Sequence, residues 1–477
     1  MKKIAFLYSN VEFKDKIEYS IRTILQNYNV SFDLFCVSDD KYDKSNYETI
    51  IYYGKKQDDI YCDIWIIESG LFSDSYLKSE SLPVEVNYYN TLPIFFFDEK
   101  YNFYELKENS RFIINNDIIQ TAFFFLTCYE DYVVNDYDKY GRANIEKSIL
   151  YKNNLLSIPV VNMLIQYLID LLNKYYHLDI SVKPLWGDKN FASILSHDVD
   201  CISKFLPFKK ELRLQLSLLI ADKRPKQFCN RFFGYINKKI NKRYKDPFDT
   251  FEYILKIEEK YGFKSTFYFM ADNKTYMVTD KATQSIVQKI KSYNSEIGFH
   301  PGLGTSNNIE IFNKQKQLFN KYIGRNNKLG IRQHYLSFIS GTTWEIQNDA
   351  GAIYDTSICY PQVAGFKAGY CLPYKVYSLS RNTVLDFWEV PLIVMEGSLL
   401  QYMKLNGDEA KIYCINLINE VEKYNGVFAL LWHNSAICDE YNPFSKDLFK
   451  WIYYELSQRN CESNSCMNII NKVINNA

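Results

Sequence analysis

Four histidines in the second half of the chain lie in short motifs that could perform metal or proton chemistry. His197 lies in SHDVD, His300 in EIGFHPG, His334 in GIRQHYLSF and His433 in LLWHNS, whereas His177, the fifth histidine, has no such setting. Each motif is an apolar run that ends in polar residues, which is typical of a buried strand that delivers side chains to one edge of a sheet. Taken singly, each could be a satisfied core histidine. Together they indicate metal binding or proton transfer.

Two carboxylates, Asp198 and Asp200, directly follow the first of these histidines. At a strand end, one of them can bind a metal while the other faces the water that will react. A carboxylate combined with histidines and one vacant position is the composition of a hydrolytic site for zinc or a similar divalent ion. Such an ion lowers the pKa of water toward about 7, so the second carboxylate can act as a general base.

The composition of the chain excludes several classes of protein. Its 477 residues are enough for two domains, and its apolar fraction of 47% can fill a large core. Lys and Arg together number 56, as do Asp and Glu. With balanced charge and no zinc-finger spacing, the sequence gives no support to a nucleic-acid partner.

The cysteines and the apolar runs bear on the location of the protein. The start of the chain, MKKIAFLYSN, carries an apolar stretch of about five residues, and a secretory signal needs about seven to fifteen. No apolar run approaches the roughly 18–20 residues of a membrane span. Eleven cysteines without paired metal spacings favour a reducing compartment. We therefore expect a cytoplasmic protein.

The first part of the chain, residues 1–180, reads as a smaller accessory α/β domain. Predicted strands cover 3–9, 31–37, 49–54, 63–69 and 92–98, and predicted helices cover 118–134 and 160–176. The region lacks GxGxxG and P-loop motifs, so nucleotide binding has no support there. Its role is open between a docking or substrate-shaping module and a purely structural one.

The second part, residues 190–477, alternates strands and helices after a polar seam. Predicted strands cover 191–200, 263–270, 296–300, 329–338, 351–358, 387–395 and 427–434, and predicted helices lie near 249–261, 281–293, 309–323 and 408–424. This repeated βα alternation predicts a parallel barrel of the (β/α) type. The active site of such a barrel forms at the carboxyl face, where residues far apart in the sequence meet.

A basic insertion at 204–245 interrupts this pattern, with thirteen Lys or Arg against two acids, interleaved with apolar runs. One interpretation is a solvated helical excursion. The other is contact with an anionic surface, either an acidic glycan, a phosphorylated carrier or membrane headgroups.

The motifs of about residues 190–440 resemble those of the polysaccharide deacetylase superfamily, in the branch with DVD in its first motif and an accessory amino-terminal domain. That resemblance implies a distorted (β/α) barrel and removal of acetyl groups from sugars with one divalent metal, zinc by preference and otherwise cobalt, nickel or manganese. It implies that Asp198 is the catalytic base, Asp200 and His300 are metal ligands, Arg332 orients the base and His433 is the general acid.

Further roles follow from the same resemblance. Backbone N–H groups near Tyr335 would stabilise the oxyanion together with the metal, and Asp355, in YDTS, would line the acetyl pocket. The chain departs from the family pattern at Gly304, where a second metal-binding histidine is expected. His334 is our preferred replacement, and His197 is the alternative.

The predicted function is therefore metal-dependent removal of an acetyl group from an N-acetylated sugar or glycan precursor. Two other functions remain open. One is a catalytically degenerate glycan-binding or scaffold protein, which Gly304 favours, and the other is hydrolysis of a non-sugar amide. Among the aromatic residues, Trp344, Trp388 and Trp432 lie nearest the motifs and are candidates for sugar contact. Glu389 ends a strand-like run and is a further candidate for the site.

Overall fold

The computed structural model describes most of the chain. The described residues are 3–57, 59–106, 111–206, 208–221, 223, 225–241, 243–324, 329–438 and 443–476. Four residues of the basic insertion, at 207, 222, 224 and 242, therefore lie outside the described residues, as do 439–442 in the carboxyl-terminal part.

A six-stranded sheet organises the first part of the chain, in the order β2-β1-β3-β4-β8-β7. All neighbours in it pair in parallel except β7 and β8. The strands of this part are β1 (Lys3–Tyr8), β2 (Ser31–Cys36), β3 (Thr49–Gly54), β4 (Ile64–Ile67), β5 (Asn87–Tyr89), β6 (Leu92–Ile94), β7 (Tyr104–Leu106) and β8 (Phe112–Ile114). The helices are α1 (Lys14–Leu25), α2 (Ile118–Leu126), α3 (Tyr129–Val134), α4 (Ile149–Lys152) and α5 (Val160–Tyr176).

Two predicted elements of this part differ in the structure. The helix expected over 118–134 is broken between α2 and α3, because Cys128 adopts a left-handed conformation with φ 52°. The strand expected over 92–98 is limited to β6, which pairs antiparallel with β5 outside the main sheet. Apolar periodicity identified the buried segments correctly, but it could not locate the turn inside one of them.

A ten-stranded sheet organises the second part. Its strands are β9 (Phe191–Val199), β10 (Ser265–Met270), β11 (Glu296–His300), β12 (Leu329–Ile331), β13 (Ala352–Asp355), β14 (Tyr374–Ser378), β15 (Thr383–Glu389), β16 (Val394–Met395), β17 (Val427–Leu431) and β18 (Cys461–Ser463). The helices are α6 (Phe208–Leu216), α7 (Pro225–Ile240), α8 (Phe251–Tyr261), α9 (Lys281–Ser292), α10 (Ile309–Tyr322), α11 (Thr343–Asp349), α12 (Gly407–Lys423), α13 (Ser445–Gln458) and α14 (Cys466–Asn476).

This sheet runs in the order β14-β15-β13-β12-β11-β10-β9-β17-β16, with β18 beside β9. Apart from the antiparallel β14–β15 pair, its described neighbours are parallel. The α/β fold with a distorted, half-barrel sheet is thus confirmed. Because parallel strands end at the same edge, the strand ends that carry the motif histidines lie along one edge of the sheet.

The strand expected over 387–395 is split between the two ends of this sheet. Its first residues belong to β15, beside β13, and its last to β16, beside β17. Between them the backbone of Val390 donates to Asp355, and that of Ile393 donates to Ala429 on β17. The segment therefore crosses the gap of the half barrel, and it carries the next residues to the opposite side of the site.

One continuous apolar core joins the two parts of the chain. At their contact, the Tyr19 hydroxyl donates to the carbonyl of Lys375 and Asn27 donates to the hydroxyl of Tyr370. The division at 1–180 and 190–477 stays a prediction. Across the described ranges, none of the helices combines the length and apolar character that crossing a membrane requires.

Candidate metal and catalytic site

The carboxyl edge of the half barrel brings together residues from four strand ends. Asp198 and Asp200 come from the end of β9, His300 is the last residue of β11, Arg332 follows β12, and His433 follows β17. Strand pairing explains their proximity, because β9, β10, β11 and β12 are consecutive neighbours in the sheet. Residues up to 235 positions apart thus face one cavity, as the apolar runs before them predicted.

Three atoms form a nearly equilateral triangle at this edge. His300 Nε2 and His334 Nδ1 each lie 3.2 Å from Asp200 Oδ1, and the two ring nitrogens are 3.2 Å apart. Ligands held tetrahedrally at zinc–nitrogen distances of about 2.0–2.1 Å are separated by about 3.3–3.4 Å. The triangle therefore fits one small divalent ion, and these three residues form the metal-ligand cluster found among the described residues.

Hydrogen bonding supports the same use of these atoms. His300 Nδ1 donates to the carbonyl of Arg332, which leaves Nε2 as the ring nitrogen that faces the cluster. Such a bond on the far nitrogen orients metal-binding histidines. Within the described residues, the buried Asp200 Oδ1 accepts no hydrogen bond of suitable geometry. An orphaned carboxylate oxygen between two imidazoles fits a cation.

The charges of these groups stabilise one another. Burial alone would raise the pKa of Asp200, but the neighbouring His300, His334 and His433 rings hold it well below its usual value. Burial likewise opposes protonation of His300, whose pKa is nevertheless raised by the carboxylates of Asp198 and Asp200. The negative charge of Asp198 and Asp200 therefore favours a positive charge at this point of the site.

His197 points away from this cluster. Its Nδ1 donates to the carbonyl of Trp432, and its Nε2 lies 3.1 Å from Glu258 Oε1, on the side of the barrel helices. Successive residues of a strand face opposite ways, so Asp198 next to it turns to the cavity. Of the two replacements considered for the missing ligand, the geometry favours His334.

The position of that missing ligand, Gly304, has a conformational reason to be glycine. Its φ is +88°, in the left-handed region that side chains rarely adopt. A histidine there would be strained, whereas His334, in the turn after β12, reaches Asp200 and His300.

Asp198 lies between the cluster and a buried arginine. Its Oδ2 is 3.7 Å from His300 Nε2, and its Oδ1 is 3.6 Å from Arg332 Nη1. Arg332 is fully buried and donates to the hydroxyls of Ser196 and Thr356. Asp198 Oδ1 accepts no hydrogen bond within the described chain. A buried carboxylate with an unused oxygen beside a metal cluster can accept a proton from water.

His433 is held by a carboxylate that the sequence did not reveal. Its Nδ1 lies 2.6 Å from Glu396 Oε1, and its Nε2 faces Asp200 Oδ2 at 3.7 Å. Burial alone would lower the pKa of His433, but the charge and hydrogen bond of Glu396 raise it to about 10. The imidazole is therefore protonated at neutral pH and can donate a proton from Nε2.

A cavity of about 200 Å³ opens onto these groups, and Asp198, Asp200, His300, Glu396 and His433 are all among the residues that line it.

The accessory part of the chain also reaches this cavity. Arg142, from the loop between α3 and α4, is one of its lining residues. The Arg142 guanidinium is paired with Asp138, and the neighbouring Tyr140 ring stacks on Tyr335 with centroids 4.5 Å apart. Tyr335 lines the cavity with a left-handed backbone, φ 62°.

Asp355 does not reach the cavity. It is fully buried, and it accepts hydrogen bonds from the Ser357 hydroxyl and from Gln347. Glu389 is also fully buried and accepts a hydrogen bond from Trp344. Burial raises the pKa of both carboxyls, that of Asp355 to about 6. They form an internal polar network beneath the site.

Two of the tryptophans considered for sugar contact are also internal. Trp344 is 1% exposed and Trp432 is 0% exposed, so the suggestion that they contact a sugar is wrong. Trp388 is 6% exposed and is not among the residues that line the cavity.

Comparison with known families and structures gives partial matches. A family of unknown function, DUF7033, matches residues 5–177. Comparison with curated proteins finds no significant match.

Solved structures are similar to about 60% of the chain. A Mycobacterium smegmatis protein assigned as a polysaccharide deacetylase is 14% identical, with a TM-score of 0.42 over 61% of this chain and 92% of that one. The PuuE allantoinase is 12% identical, with a TM-score of 0.42 over the same shares. A CE4 family pseudoenzyme from Bacillus anthracis is 12% identical, with a TM-score of 0.31 over 60% of this chain and 66% of that one. These likenesses are partial, so the chemistry of the site rests on its own residues.

Sequence reasoning missed Glu396 and Arg142. Glu396 follows the apolar run that ends in β16, which is the same signal that identified the histidines. Glu389, seven residues earlier, ends a similar run and was the candidate considered instead. Arg142 lies in a polar loop of the accessory part, and no local pattern links that loop to the barrel.

Proposed function

We propose that the chain is a metal-dependent hydrolase that removes an acetyl group from an N-acetylated sugar or glycan precursor. The observation that carries the proposal is the triangle of Asp200, His300 and His334. It lies beside the carboxylate of Asp198 and the protonated imidazole of His433. A divalent ion, zinc in our proposal, would supply Lewis acidity there when bound.

The protein residues divide the proton transfers between them. Asp198 accepts the proton of the water that attacks the acetyl carbonyl, and Arg332 holds that carboxylate in place. His433 donates its proton to the leaving nitrogen, while Glu396 keeps the ring charged and oriented. Backbone groups near Tyr335 are our candidates for the oxyanion donors.

The proposal is tested by acetate release from N-acetylglucosamine oligomers, before and after treatment with a chelator. We expect release that the chelator abolishes and added zinc restores. A matched assay with allantoin and simple amides tests the second candidate, hydrolysis of a non-sugar amide, which the similarity to an allantoinase suggests. Absence of turnover on all of them, with glycan binding retained, would instead support a binding protein.

We also propose that the protein works in the cytoplasm, on an acetylated saccharide and without a nucleic-acid partner. Eleven cysteines without paired metal spacings suit a reducing compartment. Labelling the thiols of protein purified without reductant tests this, because disulfides would lower the count of reactive thiols in the unfolded chain.

A further inference from the structure

The helical hairpin built by α6 and α7, inside the basic insertion, exposes large apolar side chains to solvent. They are Phe208, Leu212, Leu216, Leu219, Ile220, Phe232, Phe233, Ile236 and Ile240. These nine are about a third of all exposed large apolar side chains among the described residues, although the hairpin spans only 208–240. Exposed apolar residues gathered in this way mark an interaction surface.

Glu211 and Arg231 mark where the two helices of the hairpin face each other. The Arg231 guanidinium donates to Glu211 at 2.7 Å and to the carbonyl of Lys204, and the Tyr235 ring lies 5.8 Å from Phe205. The contacts advance from Phe205 to Glu211 on one side and retreat from Tyr235 to Arg231 on the other, so the helices are antiparallel.

The apolar residues form one stripe on each helix. In α6 the stripe is Phe208, Leu212 and Leu216, and in α7 it is Phe232, Ile236 and Ile240. Residues four apart share a helix face. On each helix, the stripe lies one residue after the residue that contacts the other helix, so both stripes are rotated in the same sense about their own helix. Because the helices are antiparallel, this rotation places both stripes on the same side of the hairpin. We call this side the apolar face.

Basic residues border the apolar face. Helical geometry places Lys209 next to the stripe of α6 and Lys239 next to that of α7, and both are exposed. The insertion 204–245 carries thirteen Lys or Arg against two acids, although the chain as a whole has 56 of each. An apolar stripe bordered by cations is the pattern of helices that lie in the headgroup region of anionic membranes.

We propose that the apolar face docks onto the surface of an anionic lipid bilayer. The Phe, Leu and Ile side chains enter beneath the headgroups, and the bordering lysines pair with lipid phosphates. The hairpin begins eight residues after Asp200, so docking holds the cavity close to the bilayer. This inference does not depend on the proposed deacetylase activity.

Flotation of the full chain with vesicles tests the proposal. We expect the protein to float with vesicles of equal parts phosphatidylcholine and phosphatidylglycerol, and not with phosphatidylcholine alone. The variant Phe208→Ser/Leu212→Ser/Ile240→Ser changes side chains of the apolar face that are 64%, 47% and 76% exposed, so it should fold normally. Its bound fraction should fall by about tenfold or more, because apolar burial in the bilayer is lost.

The matched control is Val11→Ser/Val84→Ser/Ile412→Ser, which alters side chains that are 60%, 97% and 61% exposed outside the hairpin. It should bind vesicles like the unaltered chain. Lys209→Glu/Lys239→Glu should weaken binding, and so should high salt.

Three outcomes would overturn the proposal. The unaltered chain could fail to float with anionic vesicles, or the triple hairpin variant could float as well as its control. In the third outcome, the unaltered chain does not bind vesicles, sedimentation shows that it is a dimer, and only the hairpin variant loses the dimer. A second copy of the chain would then be the occupant of the apolar face.

Discussion

His433 and Glu396 form a partly buried pair at the edge of the candidate site, with Nδ1 and Oε1 2.6 Å apart. The pair resembles the carboxylate–imidazole arrangement of other acid–base sites, in which the carboxylate fixes the ring and stabilises its charged form. Glu396 comes from the end of β16 and His433 from the end of its neighbour β17, so the sheet itself supplies the geometry.

Replacing Glu396 should change the pH dependence of activity. The raised pKa of His433 keeps the ring protonated until about pH 10, so the general acid is lost only at alkaline pH. In Glu396→Gln the stabilising charge is gone, and the alkaline limb of kcat/KM should move down by about 1–3 pH units. A pH profile of both proteins measures this shift.

The matched control is Glu258→Gln, since Glu258 contacts His197 in a similar buried pair outside the cavity. Its alkaline limb should stay where it is. An unchanged profile in Glu396→Gln would contradict the role assigned to this pair.

Asp198 and His433 should be essential for turnover and dispensable for folding. We expect Asp198→Asn and His433→Ala to lower kcat by about 10²–10⁴, because each removes one proton-transfer group. Circular dichroism and thermal melting should show folded proteins. Turnover near that of the unaltered chain in either variant would refute its catalytic role.

Arg142 tests whether the accessory part shapes the site. Arg142→Ala should raise KM roughly two- to tenfold, the effect of losing one hydrogen bond to substrate, with kcat nearly unchanged. Steady-state kinetics on an active substrate measures both constants. The control Arg381→Ala removes an exposed arginine that pairs with Asp349 and is not among the residues that line the cavity. Equal KM values in the two variants would argue against a contribution of the accessory loop to substrate binding.

Asp117 should make stability depend on pH. This buried carboxyl caps α2, and burial raises its pKa to about 7, above the roughly 3.9 of an unfolded chain. The folded state holds the proton more tightly, so its stability should fall as pH rises from about 4 to about 7. Urea unfolding at about pH 5 and about pH 8 should show a smaller difference in Asp117→Asn. A difference as large as in the unaltered chain would assign the effect to other groups.

Part of this architecture was predictable, because local patterns encode it. Apolar runs that end in polar residues located the strands before His300 and His433, and parallel pairing then explains why the two residues line one cavity. The run over 387–395 shows the limit of this reasoning. It has the composition of one strand, yet Val390 and Ile393 bond to opposite ends of the sheet. Only tertiary contacts decide where such a run divides.

The same limit explains which site residues were found. Asp198, Asp200 and Arg332 lie in motifs whose residue types are informative by themselves. The preference for His334 over His197 followed from strand alternation, and the structure places the two on opposite sides as that rule requires. Arg142 was missed because its loop meets the barrel through long-range packing, which no spacing in the sequence reports.

The metal content of the purified protein tests the central claim most directly. Elemental analysis should find about one divalent ion per chain, a content that His334→Ala and His300→Ala abolish because each removes one corner of the triangle. His197→Gln, which alters the histidine that faces away, should keep the ion. No metal in the unaltered chain, even after incubation with zinc, cobalt, nickel and manganese, would contradict the account. So would an ion that His334→Ala retains and His197→Gln loses.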